Sequence, residues 1–418
     1  MKHQKMKWTY VGIDTHKDTH TAVFLDCFFQ KLGELTFSNL PSAFDSFLSQ
    51  AESLKANGTT LMFGLEDASS LGRTLAVFLI NNKKPVKHVN SLSVARERKN
   101  GNITQKTDSI DAECTARVLL SKLDKLPFVS LQDKYWILRT LVVQRNQLVE
   151  SNIRAKQTLH NLLTQHYPNY NKFFKCIDGK TSLAFFNAFP SPKYLENVTR
   201  EELIAFLHIF SEKRLGSRKA DVILSSVENI SYDILEEHQK IRDDAIRCVI
   251  RQIEFYMEEL KHIEHSMATY LQPLDCTLTS MAGIDTVSAC QILSCIGDIS
   301  KFKTPAQLAR YAGIAPVTYA SGKKDSQFAD KRGNRELNAL FFTLAVRLIS
   351  PVGPNRKLIN MFFYDYFKRK QAEGKTKRQA IKCVERRLVN IIWTMLTRNE
   401  EYVNPPVFDI PKNESVEK

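Results

Sequence analysis

Two short apolar runs, each closing on a carboxylate, constrain this chain more than any other feature. Trp8-Thr-Tyr-Val-Gly-Ile13 reads as a buried strand ending on Asp14, and Thr60-Leu-Met-Phe-Gly-Leu65 as a second one ending on Glu66. An acid at the end of a buried strand projects into the crevice beyond the sheet, where open α/β sheets bind their ligands. A third acidic element, Asp108-x-x-Asp111, opens a helical pattern. Four carboxylates on a strand–strand–helix framework offer hard oxygen ligands to two Mg²⁺ ions about 3.5–4 Å apart, the arrangement of a two-metal phosphoryl-transfer site. Taken singly, the helix pair has a plainer reading, because an Asp at a helix start with a second acid three residues on is also a capping pattern. The same spacing puts both carboxylates on one face of the first turn, and the four acids together favour a common site. Lys17, Asp18 and Asp67 are read as surroundings of that site or as surface.

The pattern around the acids is that of an α/β domain. Residues 8–27 and 33–37 read as three strands, followed by a helix from Pro41 to Ala56 with Phe44, Phe47, Leu48 and Leu54 inward. The strand 60–65, a helix from Ser70 to Asn82, a short strand 85–89 and a helix from Thr107 to Lys122 complete it. The stretch Arg96–Lys106 is too hydrophilic to be core. Three meandering strands and then helix–strand–helix–strand–helix is the element order of an RNase H-like domain. Two long helical segments follow, 131–166 and 246–271. In the second, Ile246, Ile250, Ile253, Met257, Leu260, Glu264, Met267 and Leu271 recur at steps of four and three, a heptad seam broken once by Glu264. An ordinary amphipathic bundle helix gives the same pattern. The aromatic-rich stretch 172–226 between them carries no functional signal.

A chain of 418 residues exceeds one ordinary core, so several domains are expected. The divisions read from the pattern are 1–125, a helical coiled-coil region 126–275, a mostly α C-terminal domain 276–400, and a disordered tail 401–418. No apolar run reaches the roughly 20 residues of a membrane span, and no signal-peptide core is present. The eight cysteines have no C-x-x-C spacing, which argues against zinc and against a disulfide framework. A cytoplasmic protein is expected. The net charge of +14 is concentrated: residues 301–400 hold 21 Lys and Arg against 7 Asp and Glu, and the rest of the chain is balanced. Such confinement is the footprint of a polyanionic partner, the plainer alternative being a solvated basic face and a membrane surface fitting less well because the segment is not one amphipathic basic helix.

That basic segment has its own motifs. Ser280 to Ala289 resembles a helix-hairpin-helix element with Gly283-Ile284 at the turn, a place where backbone N–H groups can take phosphate oxygens. Ser321-Gly322 reads as a turn, yet Lys323, Lys324, Lys331, Arg332 and Arg335 surround it. A serine hydroxyl needs a base or a metal to become a nucleophile, and cations would neutralise the phosphate it attacks. No local His or Glu supplies the base, so activation would come from elsewhere, the acidic site being the candidate.

Val11-Gly-Ile-Asp-Thr-His-Lys-Asp18, Gly64-Leu-Glu-Asp67 and Lys106-Thr-Asp-Ser-Ile-Asp-Ala112 resemble the acidic motifs of the DEDD-type transposases of the insertion-sequence family one-ten. Ala282-Gly-Ile through Gly297-Asp298, Tyr311-Ala-Gly-Ile-Ala-Pro316, Ser321-Gly322 and Lys331-Arg-Gly-Asn334 are similar to that family's C-terminal domain. The resemblance covers 1–125 and 275–350, and the helical middle loosely. It implies a RuvC-like first domain with Asp14, Glu66, Asp108 and Asp111 as Mg²⁺ ligands. It implies Ser321 as a nucleophile that forms a covalent phosphoserine link to DNA. It further implies recombination of donor and target DNA guided by a structured bridge RNA, and assembly as dimers of dimers.

The expectation is therefore an RNA-guided DNA recombinase that moves an insertion sequence, with the heptad helix supplying self-association. One rival is a RuvC-like nuclease whose acids activate water, for which Ser321 has no use. The other is a nucleic-acid-binding protein whose acids only cap helices.

Overall fold

The computed structural model describes residues 4–66, 70–101, 105–130, 134–167, 169–228, 236–321, 324–329, 333–353 and 356–403; for 316–321 and 324–329 the backbone alone is described. The chain divides between Trp136 and Ile137 into two compact units.

The first unit alternates as the apolar patterning requires. β1 (Trp8–Thr15), β2 (Thr19–Leu25), β3 (Lys31–Ser38), α1 (Pro41–Ser53), β4 (Thr60–Leu65), α2 (Arg73–Asn81), β5 (Val86–His88), α3 (Ser91–Asn100) and α4 (Asp108–Ser121) follow in order. The strands make one sheet in the order β3-β2-β1-β4-β5, antiparallel across β3, β2 and β1 and parallel across β1, β4 and β5. Because side chains alternate along a strand, each face has its own core. Val11, Ile13, Phe63 and Leu65 pack with Phe44 and Phe47 of α1 and Leu75 and Leu79 of α2. Tyr10, Val23 and Met62 pack on the opposite face with Ala112, Ala116 and Leu119 of α4.

The expected strands and helices of this unit all form, with ends within a few residues. The stretch Arg96–Lys106 differs, because its first half is the end of α3. That helix buries only Val94, which explains why its sequence carries no apolar stripe. Asn90 starts it, accepting from the Leu92 N–H at 2.8 Å.

The second unit is mostly helical. Its helices are α5 (Lys134–His166, which the division crosses), α6 (Lys180–Ala188), α7 (Arg200–Ser211), α8 (Ser217–Val227), α9 (Glu236–Leu271), α10 (Thr286–Ile296), α11 (Pro305–Tyr311), α12 (Arg335–Ile349), α13 (Met361–Ala372) and α14 (Lys377–Arg398). β6 (Pro316–Ser321) and β7 (Lys324–Ala329) form an antiparallel hairpin, and β8 (Pro351–Val352) and β9 (Lys357–Leu358) a short one. The silent stretch 172–226 is structural: Phe173, Phe185 and Phe186 pack with Tyr167 in the centre of a core.

Much of the heptad seam of α9 is buried within the chain. Ile246, Ile250 and Ile253 are fully buried in that same aromatic core, and Met267 is fully buried further along. These apolar positions are thus filled from within the chain, while Met257 and Leu260 of the same seam stay partly exposed. Glu264, which interrupts the pattern, meets Arg145 of α5, whose Nε donates to it at 2.8 Å. The helix-hairpin-helix expectation is also simplified: a single turn of 3₁₀ helix, Thr277–Ser280, precedes α10. Gly283 has φ +102°, and a Cβ there would lie 2.7 Å from Leu348 Cδ2. Asp285 caps α10, accepting from the Ser288 N–H at 2.7 Å and from Arg347 Nη1 at 3.0 Å. At the root of the β6–β7 hairpin, Gly333 lies so close to Gly313 that a Cβ on it would come 2.2 Å from the Gly313 nitrogen. Residues 404–418, most of the expected tail, lie outside the described residues.

Candidate active site

The site begins with strand parity. β1 and β4 are parallel and in register, with Gly12 opposite Gly64 and Ile13 opposite Leu65. Tyr10, Gly12 and Asp14 therefore share the α4 face with Met62, Gly64 and Glu66. Glu66 continues the pairing, its N–H donating to the Ile13 carbonyl at 3.4 Å. Both strands run toward the same edge, so the two acids emerge side by side at their carboxyl ends. The glycines let α4 approach. A Cβ on Gly12 would lie 2.2 Å from the Ala116 nitrogen and 2.3 Å from the Ala112 oxygen. One on Gly64 would lie 3.1 Å from Leu119 Cδ2.

That approach brings the start of α4 to the strand ends. Thr107 caps the helix, its Oγ1 accepting from the Ile110 N–H at 3.2 Å, so neither Asp108 nor Asp111 is spent on capping. Asp111 is buried and its Oδ1 receives the guanidinium of Arg98 from α3. Asp108 is more open and meets His16 Nε2 at 3.2 Å, and the same nitrogen lies 3.1 Å from Asp14 Oδ2. The imidazole thus joins the end of β1 to the start of α4. Its backbone is fixed by the β1–β2 turn. The His16 N–H donates to the Thr19 carbonyl at 3.2 Å and to His20 Nδ1 at 3.3 Å, while Asn39 Nδ2 donates to the His16 and Lys17 carbonyls.

The acids influence one another. Burial pushes the Asp14 carboxyl above the usual carboxylate range, His16 pulls it back, and Asp111 and Asp108 push it up again. Burial likewise raises Glu66; a hydrogen bond from Ser91 lowers it, and the charges of Asp14 and Asp111 raise it. Carboxylates that are desolvated and crowded by like charge are stabilised by a cation between them. The donors are carboxylate oxygens with one imidazole nitrogen, a set that fits a hard divalent cation.

The structure brings Asp14, Glu66, Asp108 and Asp111 to one end of the sheet. Ser321 belongs to the other unit, as the last residue of β6, opposite Lys324 in the hairpin register. Lys17 and Asp18 are exposed beside His16, and Arg335 is exposed at the start of α12. Asp67, Gly322, Lys323, Lys331 and Arg332 lie outside the described residues. Two participants escaped the sequence reading. His16 is signalled only by standing two residues beyond Asp14 at a strand end. Arg98 sits in a stretch whose polarity concealed a helix. Elsewhere in the second unit, α13 and α14 expose Lys368, Arg369, Lys377, Arg378 and Arg387, and Arg369 and Arg387 stack over Tyr366 and Phe362.

Fold and site define a protein with a mixed α/β unit that gathers carboxylates at the ends of its central strands, continued by a helical, basic unit. The DEDD-type IS110 transposase description matches residues 11–168, and the description "Transposase IS116/IS110/IS902 family" matches residues 276–358. The chain is 23% identical over 402 residues to the 44.8 kDa protein of insertion element IS116 of Streptomyces clavuligerus, covering 95% of this chain and 96% of that one. It is 25% identical over 296 residues to the 43.6 kDa protein of insertion element IS110 of Streptomyces coelicolor, covering 70% of each. A pilin gene-inverting protein of Moraxella bovis is 25% identical over 201 residues, covering 44% of this chain and 58% of that protein. This chain belongs to the IS110 family of transposases, enzymes that act on DNA.

Proposed function

We propose that this chain is a DNA recombinase that moves an insertion sequence by cutting and rejoining strands through a phosphoserine bond, with an RNase H-like, RuvC-like first unit and a structured guide RNA as the source of sequence choice. The observation that carries the reading is the gathering of Asp14, Glu66, Asp108 and Asp111, two of them held above the usual carboxylate range, at the ends of β1, β4 and α4.

In this reading Asp14, Glu66, Asp108 and Asp111 hold Mg²⁺, two ions in the full site. Bound there, the cations would neutralise charge on a DNA phosphate and favour the ionised form of an attacking oxygen. Ser321 Oγ attacks the phosphorus, a phosphoserine ester forms, and the bond to one deoxyribose oxygen breaks. The serine proton passes to solvent or to a site carboxylate, and the departing oxygen leaves as a hydroxyl. Attack by a hydroxyl of a second strand reverses the exchange, expels Ser321 and rejoins DNA, so each phosphodiester broken is replaced by one formed. Lys323, Lys324, Lys331, Arg332 and Arg335 offset phosphate charge near Ser321, and Gly283 shapes the turn before α10. The guide RNA would bind by backbone and shape, leaving sequence to base pairing. Donor and target DNA would meet on a dimer that pairs into a tetramer, with Ser321 of one copy serving the acids of another. A gene-inverting relative fits a reaction that both cuts and rejoins.

The acids alone also suit a nuclease that activates water. Trapping on a nicked substrate separates the two. A recombinase leaves protein joined to one DNA end through the peptide containing Ser321, and Ser321→Ala removes both adduct and joining while keeping DNA and RNA binding. Normal cleavage by Ser321→Ala with no adduct makes water the nucleophile.

A further inference from the structure

His16 stands between two of the four acids. Its Nε2 is 3.1 Å from Asp14 Oδ2 and 3.2 Å from Asp108 Oδ1, and one donor atom from each of the three residues lies within 4.8 Å of the others. Two ligands at right angles around a cation with bonds of about 2.1–2.2 Å are separated by about 3.0–3.1 Å, and ligands on opposite sides by about 4.2–4.4 Å. The two distances from the ring nitrogen, 3.1 and 3.2 Å, are close to the right-angle spacing. A hydrogen bond would give similar distances, so the case also rests on how the ring is mounted. His16 is not a free surface side chain that has swung toward two negative charges. Its N–H and carbonyl are both tied down, to Thr19, His20 and Asn39, and its side chain remains about half exposed, open to an ion arriving from solvent. Lys17, its neighbour, could neutralise the acids but cannot ligate a metal.

We propose that His16 is a direct cation ligand, completing with Asp14 and Asp108 a mixed nitrogen and oxygen site that prefers Mn²⁺ and similar transition-metal ions over Mg²⁺. The proposal rests on the reading of the acids as a cation site and adds the ligand that sets its metal preference. Without a cation Nε2 lies within hydrogen-bond distance of Asp14 and 3.2 Å from Asp108; a bound cation would sit between the ring nitrogen and the two carboxylates, any ring proton it displaces passing to solvent. Imidazole is a borderline ligand that suits transition metals, whereas Mg²⁺ keeps to oxygen and to its own waters.

The test uses the full chain with Mn²⁺ alone as probe. Pulsed electron paramagnetic resonance of bound Mn²⁺ should carry ¹⁴N modulation from a directly bound imidazole. His16→Ala should abolish the modulation, weaken Mn²⁺ on the order of tenfold or more, and leave Mg²⁺ affinity, measured by competition, much less changed. Asp14→Asn should remove binding of both ions. Mn²⁺ bound in an Asp14-dependent way with no nitrogen modulation, or with modulation that survives His16→Ala, overturns the role of His16 and leaves the acidic site intact. Mn²⁺ binding that ignores Asp14→Asn defeats the acidic site itself and this proposal with it. Should His16→Ala not fold, the spectrum of the natural chain still decides, because absence of nitrogen modulation there is enough to reject the ligand.

Discussion

Gly12 of β1 and Ala116 of α4 touch backbone to backbone: a single added Cβ at Gly12 would come 2.2 Å from the Ala116 nitrogen. No side chain intervenes, so the offset between helix and sheet, and with it the offset between Asp14 and Asp108, is set by this contact. Gly12→Ala must push α4 outward. The expected cost is about 1–3 kcal/mol or more from overpacking, read by urea melts, with strand cleavage falling further than stability explains. Cleavage at the natural rate would mean that α4 does not set the site.

Asp14→Ala, Glu66→Ala, Asp108→Ala and Asp111→Ala should each abolish cleavage of DNA in Mg²⁺ while circular dichroism stays unchanged. Each removes an oxygen ligand and one charge from a crowded cluster, so folding should hold or improve slightly at Asp14, Glu66 and Asp108, whereas Asp111→Ala also leaves the Arg98 guanidinium without its partner and should lower stability. Full activity after loss of Asp14, Glu66 or Asp108 is incompatible with the two-metal reading.

The pH dependence follows from the two raised acids. Asp14 and Glu66 ionise above the usual carboxylate range when folded, chiefly because of burial. The unfolded chain ionises them first as pH rises, so what they contribute to stability is complete below the ordinary carboxylate pKa and is lost as pH climbs through the raised values. Replacing them, as Asp14→Asn with Glu66→Gln, removes that loss. In EDTA, the stability advantage of the double variant over the natural chain should be near zero at about pH 3 and reach a plateau by about pH 7. An advantage that does not change over this span would mean the acids titrate normally.

Ile250 and Ile253 face the chain's own core. Lysine at both should therefore unfold the helical unit and not merely separate copies, at a cost of several kcal/mol for two unpaired buried charges. Melting and light scattering recorded together distinguish the cases: a folded variant of lower mass would restore the seam to an interface.

The clustering of the four acids was legible because strand-end acids and a helix-start pair are local signals; the sheet then needs only register to bring them together. The order of the first unit follows for the same reason, since Tyr10 and Val11 alternate between two cores that their neighbours also mark. What stayed hidden depends on contacts distant in sequence. Arg98 reaches Asp111 from a helix with one buried residue, and its polar run resembles a loop. His16 reads as an ordinary turn residue until α4 supplies Asp108. The apolar repeat of α9 is real, yet periodicity cannot say whether its partner is another copy or Phe185 and Phe186 of the same chain.

The close approach of Gly333 to Gly313 makes the β6–β7 hairpin a closed excursion from the body of its unit. Chain that leaves after α11 returns to almost the same point before α12, so the arm carrying Ser321 can change length without moving either helix. Strand pairing sets the step: one residue added to each strand leaves the β6–β7 pairing matched, whereas one added to a single strand shifts the register. The hairpin's length is thus an adjustable dimension, while a side chain added at Gly333 would collide with the backbone of Gly313.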